Sequence, residues 1–293
     1  AIVMYVGSTN FPLIAIPLFI LAGAIMNSSG ISRRLIAFAS ALVGFVRGGL
    51  SMITIAASMF FAEISGSAVA DVAALGSILI PAMKKKGYPA PFAAAVCSSA
   101  ASLAVIIPPS IPMILYAVMA QTSVVQLFVA GIIPGIIGGF GMMFVSYLYA
   151  KKKNLPIEEN FNLKNVRKTG KEALLAFVLP VVILGGIFGG FVTATEGAGL
   201  AVVASLLIGV IYRELNFKKL FEATTEGGSQ TAIVMLLVAS SVLIGEFLTI
   251  EQVPQKVAAS IIDFTTNKYA ILAILNVFLL VIGFFLHSAA AII

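Results

Sequence analysis

Two short stretches of this sequence carry residues that could hold an ion. The first is Ser65-Gly66-Ser67, two hydroxyls around a glycine in the middle of an apolar region. Hydroxyls, and carbonyls freed at a tight turn, are hard oxygen ligands suited to a small alkali cation. Small residues also serve close helix packing, but a polar cluster centred in an apolar run fits an ion site better. The second stretch is Ile106-Ile107-Pro108-Pro109-Ser110-Ile111-Pro112. Three prolines in five residues remove amide donors and exclude a regular helix, so a helix broken at mid-length is predicted. A break frees carbonyls and aims the N-terminus of its second half, which attracts anions, at the same place. A simple kink would need only one proline.

Carboxylates are the next group. An acid at the centre of a membrane helix costs roughly 2.5–3.5 kcal/mol on insertion scales, so Glu63, Asp71, Glu196 and Glu246 each need a role. Asp71 stands six residues after Ser65. It either braces the turn by accepting from its amides or helps to attract and ligate the cation. Glu196 follows Thr193 and Thr195, which is the spacing of a structural helix cap. His287, the only histidine, opens a second polar point, His287-Ser288-Ala289. It is read either as proton-coupled or as hydrogen-bonded to local backbone. Asp71, His287, Ser288 and Ala289 together form the expected substrate or second-cation region. No Cys/His metal set, Walker loop or G-x-S-x-G elbow occurs, so neither an enzyme nor a transition-metal site is expected. The single cysteine, Cys97, excludes an internal disulfide and reads as a packing residue.

These residues need a frame, and composition says which. The chain is 60% hydrophobic and 10% charged, with mean hydropathy +1.09. A soluble domain cannot hide that much apolar surface, whereas a bilayer asks for it in runs of roughly 20 residues. Uncharged runs occupy residues 11–26, 88–120, 124–150, 173–192, 197–212 and 231–245. The net charge of +6 could suggest nucleic acid, but the basic residues sit between the apolar runs, where topology signals belong. No nucleic-acid partner is expected. With a re-entrant hairpin over residues 49–83, all 18 lysines and arginines except Lys256 and Lys268 fall on one side of the membrane. Residues 31–46 and 252–265 read as amphipathic helices in the interface, and residues 154–171 as a polar cytoplasmic connection.

Sliding the sequence by 222 positions lays one span on another, one interfacial helix on the other, and Ser65–Ala68 on 287–290 without a gap. The paired spans cross in opposite directions, so the repeat is inverted, and a site is expected between its halves at mid-membrane. The predicted class is an all-α polytopic membrane protein with inverted repeats, re-entrant helical hairpins and discontinuous helices. Its expected division is a scaffold span with interfacial arm (1–48), a first transport half (49–120), scaffold spans with a cytoplasmic connection (121–229), a span with a second arm (230–267), and a second hairpin that begins at 268–293. The transport half comprises the hairpin 49–83 and the broken helix 88–120. Gly30, Gly44, Gly48 and Gly49 are candidate hinges at the ends of the first arm. Both chain ends are expected to be cut, since the chain opens without Met and stops inside an apolar run.

The run from Ser65 to Met83, with residues 106–112, Phe11-Pro12, Pro17-Leu-Phe-Ile-Leu-Ala-Gly23 and Thr193-Ala-Thr-Glu-Gly-Ala198, resembles the large membrane subunit of TRAP (tripartite ATP-independent periplasmic) transporters. The resemblance covers nearly the whole chain. It implies the ion-transporter superfamily, an elevator motion, and sodium-coupled import of an organic acid, either sialic acid or a C4-dicarboxylate, across a bacterial inner membrane. Sialic acid is favoured of the two. It further implies Na+ as coupling ion, with a first site at Ser65, Gly66, Ser67, Pro108, Pro109 and Ser110. The implied partners are a small four-helix (Q-type) membrane subunit and a periplasmic (P-type) substrate-binding protein. Relative to the family, a first helix and the last third of the second repeat are missing, and many members have Asp in place of His287. The alternative is another ion-coupled anion transporter of the same superfamily that works without a binding protein.

Overall fold

The computed structural model describes residues 2–65, 68–158, 160–286 and 288–292, and every regular element among them is helical. A short helix α1 (Ile2–Ser8) precedes a 3-10 turn (Phe11–Ile14) that runs into α2 (Ala15–Ser28). Then come α3 (Ile31–Val43), α4 (Gly49–Ser65) and α5 (Ala68–Lys85). Next are α6 (Ala90–Ala101) with a 3-10 extension (Ser102–Val105), and α7 (Ile111–Met119). The rest are α8 (Val124–Lys152), α9 (Leu163–Phe188), α10 (Ala194–Ile211), α11 (Phe217–Ile250), α12 (Val253–Phe264), α13 (Lys268–Phe285) and α14 (Ser288–Ile292). Most long helices open on a polar residue whose side chain takes up a first-turn amide. Ser123 does this for α8, Asn162 for α9, Thr193 for α10, Asn216 for α11 and Asn267 for α13.

Among the described residues, six segments are long and apolar enough to cross a membrane: Phe11–Ser28, α8, α9, α10, α11 and α13. The run 88–120 is not one helix, because its prolines split it into α6 and α7. Helix α9 starts inside the polar connection, where Asn162 Oδ1 accepts from the amides of Lys164 and Asn165 (2.9 and 3.4 Å) and nothing downstream breaks the helix before Gly189. At 34 residues α11 is far longer than the run 231–245, about 51 Å at 1.5 Å per residue against about 30 Å of hydrocarbon. Its polar first third, from Lys218 to Gln230, therefore projects beyond the apolar layer.

Packing sorts the helices into two groups. In one, α2 is enclosed by α10 and α11; it buries Ile16, Phe19 and Ile20 against small residues of α10 such as Ala198 and Ala201. In the other, α4 is surrounded by α3, α5, α6 and α8. Helix α3 belongs between them. Its stripe Ile31, Leu35 and Ala39 is fully buried, and Phe38 meets Phe60 of α4 and Phe177 of α9 in a three-ring cluster with centroids 5.2–6.0 Å apart.

The two ends of α3 are held differently. At its start, Glu214 between α10 and α11 pairs with Arg33 (2.5 Å) and Arg34 (2.8 Å). Lys219 Nζ donates to the Glu214 carbonyl (2.8 Å), and the Arg34 guanidinium lies 3.8 Å over the Tyr212 ring. Gly30 precedes the helix at φ 71°, where a Cβ would be strained and would also collide with the Glu214 carboxylate. At the other end the turn between α8 and α9 straps the α3–α4 junction. The Pro156 carbonyl accepts from the amides of Gly48 and Gly49 (3.0 and 3.4 Å), and the Glu158 amide donates to Gly44 (3.1 Å). The Glu158 carboxylate pairs with Lys86 at the base of α5 (3.4 Å).

Glu214 yields a pH prediction. Burial raises its carboxyl, but the hydrogen bond and charge of Arg34, with Arg33 and Lys219, outweigh burial and hold it below the usual range. A lowered folded value means the stabilisation is complete above the ordinary Glu value of about 4.3 and is lost as pH falls through the lowered one. Glu214→Gln should lower the thermal midpoint at neutral pH by an amount equivalent to about 1 kcal/mol, since water screens the pairs. It should also flatten the acid side of a midpoint-versus-pH curve measured in detergent. An unchanged acid side would remove Glu214 from the account.

Gly30 opens α3 and Gln252 opens α12, both left-handed (φ 71° and 55°) and 222 positions apart. Each follows a span and starts an amphipathic helix. Helices α12 and α13 bury no described residue.

Candidate ion and substrate site

The break between α6 and α7 is built by its own residues. The amides of Ile106 and Ile107 still reach back to the Leu103 carbonyl (3.0 and 2.8 Å), the last helical bonds before the prolines. Pro108 and Pro109 have no amide to give, and the peptide between them is cis. Ser110 restarts the chain. Its hydroxyl donates to the Val105 carbonyl (2.7 Å) across the break and accepts from the Met113 amide (3.4 Å) as N-cap of α7. Pro112 sits in the first turn of α7, where a missing amide costs nothing. Ile107 to Ser110 are buried. Among the described residues no donor reaches the carbonyls of Ile106, Ile107, Pro108 or Pro109. Carbonyls without donors beside a capped helix N-terminus are suited to an alkali cation, an anion, or both together.

Helix α8 closes on this break with a face that the sequence reading passed over. Gly131, Gly135 and Gly139 recur at i, i+4 and i+8 and are buried. A Cβ on Gly131 would collide with the Ile106 carbonyl oxygen and Met113 Cε, one on Gly135 would come within 2.5 Å of Ile107 Cγ1, and one on Gly139 would meet Met59 of α4. Lower down, Ser146 Oγ of α8 donates to Ser51 Oγ of α4 (2.7 Å), fully shielded from solvent. The signal was legible as two overlapping small-xxx-small patterns, which allow helix backbones to approach closely.

The hairpin reaches the same place. Gly66 and Ser67 lie outside the described residues, and Ser65 closes α4. Helix α4 packs on the 3-10 segment that leads into the break, and Ala62 clusters with Leu103, Ala104 and Ile107. Asp71 falls in the first turn of α5 and is fully buried, a position where helix dipole and carboxylate agree. His287 lies outside the described residues. Ser288 and Ala289 begin α14, which rests against α7 and α11. Thr193, Thr195 and Glu196 stand apart from the break. Glu196 Oε2 accepts from the Thr193 amide (2.7 Å) and hydroxyl (2.9 Å), while Thr193 Oγ1 accepts from the Glu196 amide (3.2 Å). That is a capping box. Thr195 Oγ1 instead donates to the Phe11 carbonyl (3.4 Å), tying α10 to the first span.

A cavity of about 360 Å³ separates α5 from α2 and α11, within the range of small-molecule sites. Its polar lining is Asn27, Ser32, Ser77, Glu226 and Gln230. Ser32 donates to Asn27 Oδ1 (3.0 Å), and Gln230 Nε2 to Glu226 Oε1 (3.4 Å). A second recess shares Asn27, Ser32 and Ile78 with it and leads on to Arg33, Glu214 and Lys219. Together they run from the hairpin to the Glu214 ion cluster.

An all-helical polytopic membrane protein organised around a broken helix is what these features define, and comparison with known proteins narrows it. The family described as the DctM component of the tripartite ATP-independent periplasmic transporter matches residues 1–293. The isethionate TRAP transporter permease protein DctMQ of Oleidesulfovibrio alaskensis is 42% identical over 99% of this chain and 46% of its own length. The C4-dicarboxylate large permease DctM of Pseudomonas aeruginosa is 39% identical over the whole chain and 69% of its own. The sialic acid large permease SiaM of Vibrio cholerae is 36% identical over 97% and 67%. The chain belongs to the DctM family, the large permease of TRAP transporters. It spans about half the length of the first of these relatives and about two thirds of the other two.

Proposed function

We propose that this chain forms the core of a sodium-coupled importer of small organic acid anions in a bacterial inner membrane. The observation that carries this reading is the buried break at Pro108–Ser110, where the Pro108 and Pro109 carbonyls meet no donor among the described residues and against which α4 and the glycine face of α8 are packed. In this reading Na+ is cargo. It is held by the break carbonyls and Ser110 together with Ser65, Gly66 and Ser67 of the hairpin, while the N-terminus of α7 faces the anion. Asp71, His287, Ser288 and Ala289 belong to the substrate or second-cation region. Relatives named for isethionate, C4-dicarboxylates and sialic acid share the acid group, so the proposed substrate class is an organic acid, with no preference for sialic acid. The proposed partners are a small membrane subunit and a periplasmic binding protein. Motion is of the elevator type within an inverted repeat. Because α8 is fitted to the break, the proposed moving body includes α8 with α4 to α7, a change from a division that ends the transport half at residue 120.

The test is uptake into proteoliposomes by the full-length protein with its partner subunits, under an imposed sodium gradient. Accumulation of an organic acid that collapses when the gradient is dissipated is expected. Uptake indifferent to sodium would refute the coupling, and no uptake of any organic acid would refute the substrate class.

A further inference from the structure

We propose that the turn between α8 and α9 is a binding surface for anionic phospholipid headgroups. Seven cations gather there: Lys151, Lys152 and Lys153 at the end of α8, and Lys164, Arg167, Lys168 and Lys171 at the start of α9. All seven are exposed, and none forms an ion pair among the described residues. The nearest acid with a described side chain in the turn, Glu158, is committed to Lys86.

Three features go beyond what a topology signal requires. First, a recess of about 340 Å³ is lined by Lys164 and Lys168 with Asn160, Asn162 and Asn165, so two cationic and three amide residues border a space the size of a headgroup. Second, large apolar side chains stand exposed beside the cations: Ile157 (51%), Phe161 (56%) and Leu163 (55%). Phe161 is held by an edge-on contact with Phe45 at 5.2 Å. Apolar side chains next to unpaired cations suit a surface with acyl chains below and phosphates above. Third, the level is right. The exposed apolar face of α8 ends at Leu148 and, past Leu163 at its first position, the exposed apolar face of α9 begins at Leu174, so the cluster sits where hydrocarbon gives way to headgroups. Positive charge at that level is attracted to an anionic leaflet, by an amount per lysine that makes two lysines worth roughly thirtyfold in affinity.

The experiment is native mass spectrometry of the full-length protein released from nanodiscs of mixed phosphatidylglycerol and phosphatidylcholine. Lys164→Gln with Lys168→Gln should cut phosphatidylglycerol retention at least tenfold. Lys151→Gln with Lys152→Gln removes the same charge away from the recess and should cut it far less. Equal losses in the two pairs would mean bulk charge alone and would overturn the site. So would displacement of the lipid by millimolar inorganic phosphate, which would make the recess a free-phosphate site, or unchanged lipid retention with loss of a co-purifying protein subunit.

Discussion

Gly131→Ala is expected to reduce sodium-driven uptake more than tenfold while the protein still folds and reaches the membrane. The added methyl would occupy the space of the Ile106 carbonyl oxygen and the end of Met113. Met113 can swing away, but the carbonyl is backbone, held just before two prolines that fix their own dihedrals. Relief must come from a shift of the break or of α8. Overpacking of this kind costs typically 1–3 kcal/mol, survivable for a bundle of this size. The proposed ion site is less forgiving, because oxygen ligands bind a cation of sodium's size over a window of only a few tenths of an ångström, taking calcium's 2.3–2.6 Å as a guide. Gly141→Ala is the control: nothing lies within 4 Å of a Cβ there, and alanine favours the helix by about 0.5–1 kcal/mol. Sodium-dependent uptake and thermal midpoint, measured on both variants, separate misplacement of the site from loss of fold. Normal uptake by Gly131→Ala would mean that the position of the break does not govern transport.

That prediction rests on a face the sequence displayed and the reading missed, and the contrast with what was read is physical. The break at Pro108 to Pro112 was legible because proline acts on its own backbone whatever surrounds it. The cap at Thr193 and Glu196 lies within one turn, so its residues were also visible together in the sequence. Helices α3 and α12 were legible as amphipathic helices because that periodicity is a local property, although α3 stops at Val43 rather than residue 46. Its end is set from a distance by Glu158, whose amide takes the Gly44 carbonyl. The Glu214 cluster was opaque for the same reason, since Arg33 and Glu214 are 181 positions apart. Charges between apolar runs read as topology signals, and no pattern in the sequence says which of them will pair. The cavity beside α5 depends on what three helices fail to fill, which no single helix encodes.

That cavity leads to the second large effect. Short bifunctional thiol reagents joining Ser77→Cys to Gln230→Cys, in a background lacking Cys97, are expected to abolish uptake, and cleavage of the link to restore it. Both residues line the same 360 Å³ space, one on α5 and the other on α11, so a short link can form. Helix α5 packs on α4 and α6, whereas α11 packs on α2, and the space between is lined on the hairpin side by Ala73, Ala74, Ser77 and Ile78. Three of these four side chains are small and the space keeps α5 off α11, so little interlocks and this boundary can slide at low cost, as a shear surface must. The contrast is a link inside the proposed moving body. Ser51 and Ser146 are 2.7 Å apart at their hydroxyls, and joining Ser51→Cys to Ser146→Cys should leave uptake close to that of the unlinked pair. A site made from the break and the hairpin end works only if both travel together, so the two links must behave oppositely. If the link across the cavity forms fully and uptake continues, the hairpin does not move against α11 during transport. The ion site, if it lies at the break, would then have to reach both sides of the membrane by a local gate.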